Sequence, residues 1–192
     1  MKYRESGMPG EQLWNTFFTP KECLEKMMVG KDIRTFVDIG CGYGTFLVPA
    51  SELISGSAIG IDIDKTMIET CRHKVTKEMV SNIDIIHADI STSDMSHILA
   101  EYIGQIDYVS LFNILHCEEP VHLLKKVRDI LSENGRIGVI HWKKENTPRG
   151  PSMNIRPTPE TIIKWVRQAD LTLVREIELP PYHFGLILAK SK

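Results

Sequence analysis

Residues 36–46 read FVDIGCGYGTF, an apolar run of Phe36, Val37 and Ile39 that carries one acid, Asp38, and then breaks into Gly40, Gly42 and Gly44. A helical pattern resumes directly after the last glycine, so the stretch predicts a strand, a tight turn and a helix. Glycine accepts positive φ and has no Cβ, so backbone at such a turn can lie directly against a ligand, with the unpaired amides of the following helix beyond it. A large polar ligand is expected there.

Working outward, the same alternation of strand and helix recurs. SAIGIDID (57–64) is nearly continuously apolar, the mark of a strand covered on both faces, and 65–79 follows as a helix with Met67, Ile68, Cys71 and Val75 on one side. IDIIHAD (83–89) is a third strand, followed by a helix over 94–103, and IDYVSLFN (106–113) is a fourth, followed by a helix over 119–131. GRIGVIHW (135–142) is a fifth strand, entered by the turn Glu133-Asn134-Gly135. A basic, proline-punctuated loop (143–157) and a helix over 158–169 precede two strands, 171–179 and 182–190, joined only by Pro180-Pro181. So short a connection makes them antiparallel. The pattern predicts one α/β domain over 1–192, with a mostly parallel sheet closed by a C-terminal hairpin. Residues 1–34 form an N-terminal helical cap segment, apolar through Leu13, Trp14, Phe17, Phe18 and Leu24, with Thr19 as a helix N-cap. That segment either covers the sheet or acts as a lid over a ligand.

Composition limits the function. The chain has 192 residues, 42% hydrophobic and 25% charged, with a formal net charge of -2. No overall field attracts a polyanion, and no window is apolar enough for a membrane span, so a cytoplasmic protein is expected, with no membrane partner and with nucleic acid disfavoured but not excluded. The oligomeric state stays open, a homodimer among the options. Cys23, Cys41, Cys71 and Cys117 are scattered, with no metal-ligand spacing.

Two acids narrow the ligand at the turn. The spacing is GxGxG, not the GxGxxG that seats a dinucleotide pyrophosphate, and Asp38 suits an amine better than a phosphate. Asp62, at the end of the second strand, can accept both hydroxyls of a ribose, with Asp64 as a competitor. Asp89, at the end of the third, can accept from an adenine amine. Ligands of open α/β sheets lie at the carboxyl ends of the strands, where all these residues converge.

Taken together, VDIGCGYGTF, GIDID, HADIS and DYVSLFNILH resemble the four successive motifs of class I S-adenosylmethionine-dependent methyltransferases, especially the small-molecule branch that includes ubiquinone-biosynthesis-like enzymes. The resemblance covers residues 35–142 in motifs and the whole chain in element order. It implies a Rossmann-like three-layer sandwich with a seven-stranded sheet of order 3-2-1-4-5-7-6 and S-adenosyl-L-methionine as cofactor. Asp38, Gly40, Gly42 and Gly44 would surround the methionine moiety and Asp62 would bind the ribose. Ile63 and Met67 would pack on the adenine, Asp89 and the Ile90 amide would read its edge, and Phe112 and Asn113 would face the sulfonium.

A methyl acceptor that is protonated at neutral pH needs a base, and His116, just after the fourth strand, is placed for that role or for holding a loop. Asn113 and His116 are thus the candidate catalytic residues. His141, Tyr182 and His183 could line the pocket, whereas His73, His87, His97 and His122 have no constellation around them. Arg149 and Arg156 either bind an acidic substrate or belong to a solvated basic loop. The acceptor pocket would come from the N-terminal segment and 143–157, which favours a small-molecule acceptor. The fourth strand lacks the N/D-P-P-Y/F motif of enzymes that methylate adenine or glutamine amino groups. A non-catalytic S-adenosylmethionine-binding module, an RNA methyltransferase and an NAD-dependent oxidoreductase are the rivals.

Overall fold

The computed structural model of the protein describes residue 17 and residues 19–191. Trp14 and Phe18, expected in the cap or lid, lie outside the described residues.

The chain begins with α1 (Pro20–Lys26) and β1 (Thr35–Ile39), then runs through α2 (Leu47–Leu53), β2 (Ser57–Asp62), α3 (Lys65–Lys77) and β3 (Ile83–His87). A short α4 (Met95–Ile98) leads to β4 (Ile106–Phe112), α5 (Pro120–Ile130) and β5 (Leu131–Trp142). The chain closes with α6 (Pro159–Gln168), β6 (Leu171–Leu179) and β7 (His183–Lys190). The seven strands form one sheet in the order β3-β2-β1-β4-β5-β7-β6, as the resemblance implied. β1 pairs in parallel with β2 and β4, and β7 runs antiparallel between β5 and β6.

Side chains alternate across the strands and feed two apolar layers. Val37, Ile39, Val109 and Leu111 face the layer that holds Leu123, Val127, Ile162 and Val166 of α5 and α6. Phe36 and Tyr108 face the opposite layer with Leu24, Leu47, Ile68 and Cys71 of α1 to α3. Phe36 and Tyr108 stack at 5.5 Å, and the Tyr108 hydroxyl donates to the Met27 carbonyl at 2.8 Å.

Three elements differ from expectation. The helix foreseen over 94–103 is broken into α4 and a 3₁₀ turn at Ala100–Tyr102, after which Gly104 has φ 74°. β5 begins at Leu131, directly at the end of α5, and the ladder with β4 jumps from Ile106–Leu131 to Tyr108–Arg136. The residues Glu133-Asn134-Gly135 are therefore absorbed by an irregularity inside the strand, where an extra stretch on one side leaves the ladder locally unpaired. Thr19 precedes α1 but its side chain caps nothing, so Pro20 at the first turn is the start signal. Among the described residues no helix is long and apolar enough to cross a membrane.

Candidate functional site

The glycine turn is tied to the end of β2 by three hydrogen bonds and closed on itself by a fourth. The amides of Gly40 and Cys41 donate to the Ile61 carbonyl at 2.7 and 3.2 Å, Gly44 donates to the Cys41 carbonyl at 2.9 Å, and Gly42 donates to Asp62 Oδ2 at 2.8 Å. Gly40, Gly42 and Gly44 have φ of 77°, 52° and 74°, the left-handed region that disfavours side chains. At Gly44 a Cβ would also sit 2.7 Å from Cys71 Sγ.

Asp62 Oδ1 accepts the Asp64 amide at 2.9 Å. A carboxylate has about four lone-pair sites, so acceptor capacity remains for two hydroxyls. Asp64 is committed elsewhere, as the N-cap of α3, accepting from Thr66 and Met67 amides at 2.8 and 3.3 Å. That separates the two competing acids. Next to them Ile63 is 47% exposed, a large apolar side chain at the rim, and Met67 is half-buried.

Asp38 is paired in register with Ser110 of β4, and both point to the layer of α1 to α3. The Ser110 hydroxyl donates to Asp38 Oδ1 at 2.6 Å. Burial pushes the Asp38 carboxyl up to about 7, Ser110 opposes this, and the Asp62 charge adds to it. A carboxyl in that state is half-protonated at neutral pH and gains from a cation placed against it. Cys41, in the turn itself, is hydrogen-bonded to Cys71; that bond and burial push its thiol well above the usual range. Both thiols behave as core residues.

After β3, Asp89 Oδ1 accepts from the Ser91 amide at 2.8 Å and from its hydroxyl at 2.5 Å. Burial pushes the Asp89 carboxyl up, but these bonds and one from Thr92 hold it below the usual range. Ile90 is buried, and its carbonyl accepts from Lys126 Nζ at 2.8 Å. Lys126 also reaches the Ser91 and Ser93 carbonyls, at 3.3 and 3.1 Å, so a helix lysine on α5 fixes this segment.

At the end of β4, Phe112 packs edge-on against Phe46 at 4.8 Å. Asn113 has φ 58° and donates its amide to the Ile140 carbonyl at 2.7 Å. Its side-chain oxygen and nitrogen are buried and have no hydrogen-bond partner among the described residues. Each such group costs roughly 1–3 kcal/mol, so a buried, unsatisfied amide on a left-handed residue marks a place where a ligand completes the structure. Ile114 follows it and lies over Gly40, with its Cδ1 3.6 Å from where a Cβ would be. The β4 loop therefore covers the glycine turn. A buried carboxyl, an acid with spare acceptor sites and an orphaned amide fit a ligand that carries an amine, hydroxyls and further polar groups.

Beyond this lies a group of histidines. His116 is 8% exposed and His141 is fully buried, with His141 Nε2 3.4 Å from His116 Nδ1 and His141 Nδ1 3.2 Å from the Trp142 carbonyl. Burial lowers His141 to about 3, helped by the neighbouring His116, and burial with Arg156 and Lys143 lowers His183 likewise to about 3. Both are neutral near pH 7. His116 also lines an open cleft of about 500 Å³ with Glu118, His122, Lys125, Ile155 and Trp165. His122, for which the sequence offered no constellation, thus belongs beside His116.

Arg156 fits neither reading offered for it, whereas Arg149 lies exposed in the loop. Arg156 is 5% exposed, and its guanidinium donates to the carbonyls of Lys143, Glu145, Arg149 and Pro151 and to Thr147 Oγ1, at 2.7 to 3.1 Å. It also lies over the Trp142 ring at 5.6 Å. Arg156 is an internal post that shapes the 143–157 loop, neither solvated nor available to an acidic substrate. Phe17 packs edge-on against Trp142 at 5.4 Å and Tyr182 at 6.4 Å, which joins the N-terminal segment to that loop's base.

Comparison with known proteins decides what kind of site this is. The family described as "Methyltransferase domain" matches residues 36–135, from β1 into β5. This chain belongs to that methyltransferase family. The match begins at Phe36, so the glycine turn, Asp62, Asp89 and the β4 loop all fall inside it, and S-adenosylmethionine is the cofactor of such a domain. Among curated relatives, the aklanonic acid methyltransferase DauC of Streptomyces sp. (strain C5) is 28% identical over 141 residues, 70% of this chain and 60% of that protein. The demethylmenaquinone methyltransferase of Listeria monocytogenes is 24% identical over 131 residues, 67% of this chain and 52% of that protein. The methyltransferase chain thus spans about half to three-fifths of the length of these relatives. A SAM-dependent methyltransferase from Aquifex aeolicus superposes with a TM-score of 0.79 at 20% identity, covering 90% of this chain and 89% of that one, a likeness of fold.

Within the methyltransferase domain, the residues foreseen from sequence gather at the carboxyl ends of the strands: Asp38 on β1 with the glycines just after it, Asp62 on β2, Asp89 after β3 and Asn113 after β4. Lys126 was missed and Arg156 was given the wrong partners, because both act on backbone carbonyls, which carry no residue signature. His122 was recoverable, since it lies six residues after His116 at a helix start.

Proposed function

We propose that this methyltransferase acts on a small-molecule acceptor, as in the ubiquinone-biosynthesis-like branch of the family, and that residues 1–192 work as one domain. The observation that carries the cofactor half is the pairing of a buried Asp38 carboxyl with a glycine turn pinned to Asp62. Bound S-adenosylmethionine supplies a methyl group made electrophilic by its sulfonium; the protein supplies binding and alignment. Asp38 takes the ligand's ammonium, which draws the carboxyl back to its ionised form. Asp62 accepts the ribose hydroxyls on its two unused sites, with Gly40, Gly42 and Gly44 leaving room for the chain. Ile63 and Met67 lie under the adenine, which explains the apolar exposure of Ile63, and Asp89 with the Ile90 amide reads its edge. Phe112 and Asn113 face the reacting end. Holding an acceptor in line supplies roughly 7–11 kcal/mol of the barrier, so positioning is the main task of the protein.

The acceptor half is supported by the cleft of about 500 Å³ beside His116, a volume suited to a drug-sized molecule. DauC and the demethylmenaquinone enzyme are, by name, methyltransferases of small molecules. The formal net charge of -2 favours no polyanionic partner. The test is incubation of the protein with methyl-labelled S-adenosylmethionine and separate pools of small metabolites, RNA and protein. Label in a small-molecule product is expected. Label in RNA or protein alone, or cofactor binding with no transfer to any pool, would overturn the assignment.

A further inference from the structure

The segment between β3 and α4 is folded around one acid and held from outside by one lysine. The Thr92 and Ser93 amides donate to the Asp89 carbonyl at 3.3 and 2.8 Å, and the Ser91 amide and hydroxyl donate to Asp89 Oδ1. Of the amides of residues 90–93, only that of Ile90 donates to nothing among the described residues. Among those residues, Lys126 supplies every hydrogen bond that joins 89–93 to another element, from Nζ to the Ile90, Ser91 and Ser93 carbonyls at 2.8, 3.3 and 3.1 Å. An ammonium has three donors and no acceptor, so these carbonyls use its full capacity. Lys126 stands on α5, whose Leu123, Leu124, Val127 and Ile130 are buried in the same apolar layer as Ile90. Packing thus fixes the segment at the Ile90 side chain, and charge-assisted bonds fix its backbone.

We propose that Lys126 is a positioning residue that sets the selectivity of the cofactor site for adenine. This rests on the cofactor placement proposed above, with the base at Asp89 and the Ile90 amide. An ionised carboxylate only accepts, and a backbone N–H only donates. The bonds from Ser91 and Thr92 hold the Asp89 carboxyl below the usual range, so at neutral pH it is an acceptor. Adenine offers the matching pair, an exocyclic amine that donates beside a ring nitrogen that accepts. Hypoxanthine, with a carbonyl and an N–H at those places, reverses both. Discrimination between the two bases therefore needs the acceptor and the donor to keep their spacing. Lys126 keeps it from a helix seated in the core, and it engages the backbone carbonyls that could otherwise turn to accept the N–H of hypoxanthine.

The experiment compares the full wild-type chain with Lys126→Met, which keeps the alkyl stem and removes the donors. Amide hydrogen exchange is measured on the ligand-free proteins, followed by calorimetric titration with S-adenosylhomocysteine and with S-inosylhomocysteine, its hypoxanthine counterpart. In Lys126→Met the Ser91 and Ser93 amides are expected to exchange roughly tenfold faster. Affinity for S-adenosylhomocysteine is expected to fall roughly tenfold and that for the inosyl compound much less, so the preference for adenine narrows. Lys126→Gln, with two N–H donors for three carbonyls, is expected to narrow it by an intermediate factor and serves if Lys126→Met does not fold. Asp62→Ala, by contrast, should lower both affinities alike. Unchanged exchange at Ser91 and Ser93 in the folded variants, or affinities for the two compounds that fall alike or not at all, would overturn the proposal. A wild type that binds neither compound would instead strike the cofactor placement, while the exchange data would still show whether Lys126 holds the segment.

Discussion

Asp62 Oδ2 accepts the Gly42 amide at 2.8 Å, so the acid that ends β2 holds in place the turn that leaves β1. One carboxylate therefore shapes the glycine loop and, in the function proposed above, also accepts the ribose hydroxyls. Asp62→Ala removes both effects, and a hydrogen bond to a charged group is worth roughly 1.5–3 kcal/mol. S-adenosylhomocysteine affinity is expected to fall roughly 10- to 100-fold by calorimetric titration, with the far-ultraviolet circular dichroism unchanged, since the carboxylate lies at the rim of the fold. Unaltered affinity would remove Asp62 from the site.

Gly44 meets two constraints that can be separated. Its φ of 74° costs a side chain roughly 1–2 kcal/mol, and a Cβ would also press on Cys71 Sγ at 2.7 Å. Gly44→Ala is expected to lower unfolding stability in urea by more than the conformational cost alone. Adding Cys71→Ala is expected to return the steric part while losing some packing of its own, giving a non-additive double-mutant cycle. Strict additivity would mean that the two residues do not press on each other.

Stability should weaken on mild acidification. His141 and His183 sit near 3 in the fold and near 6.5 when unfolded, so the unfolded chain binds about one more proton at these sites at pH 6.5 and about two more by pH 5. Asp38, raised to about 7, works the other way, because over this range the folded chain keeps about one proton that the unfolded chain releases. The net excess in the unfolded state is small at pH 6.5 and nears one proton by about pH 5, so the predicted loss steepens as pH falls, to about 1.4 kcal/mol per pH unit near pH 5. Asp38→Asn removes the opposing contribution and should steepen the slope, read from urea midpoints at several pH values. A flat profile from 6.5 to 4.5 would contradict the burial of the histidines.

Arg156 gathers four carbonyls and one hydroxyl of its own loop. Arg156→Ala leaves those acceptors with fewer donors and is expected to cost roughly 2–4 kcal/mol, and to make 143–157 the first site of limited proteolysis. Arg156→Lys should recover only part, because an ammonium cannot span the same fan of acceptors. Cleavage elsewhere first would mean that the loop is held by other contacts.

What could be read from sequence divides along physical lines. The strands near the turn follow from continuous apolar runs between glycine and acid signals, whereas their order comes from the family resemblance alone, and Asp62 and Asp64 separate once β2 ends at Asp62 and Asp64 caps α3. The start of β5 was hidden because Ile130 ends a helix and Leu131 begins a strand with no turn residue between them, while the visible turn signal Glu133-Asn134-Gly135 falls inside the strand. The 94–103 helix was overread because its apolar pattern persists through a 3₁₀ turn. Lys126, and the internal role of Arg156, could not be read from sequence, since their partners are mainly backbone oxygens brought near by folding. The contact between His141 and His116 joins β5 to the loop after β4, residues 25 apart in sequence that the parallel β4–β5 pairing brings together.

The central claim is that the turn framed by Asp38 and Asp62 holds S-adenosylmethionine. The most direct measurement is calorimetric titration of the wild-type protein at pH 7 with S-adenosylhomocysteine and, separately, with NAD, repeated in two buffers of different ionisation enthalpy. The site predicts saturable binding of S-adenosylhomocysteine with release of a fraction of a proton, as its ammonium draws Asp38 into the ionised form, and no binding of NAD. Tight NAD binding with no response to S-adenosylhomocysteine would contradict it.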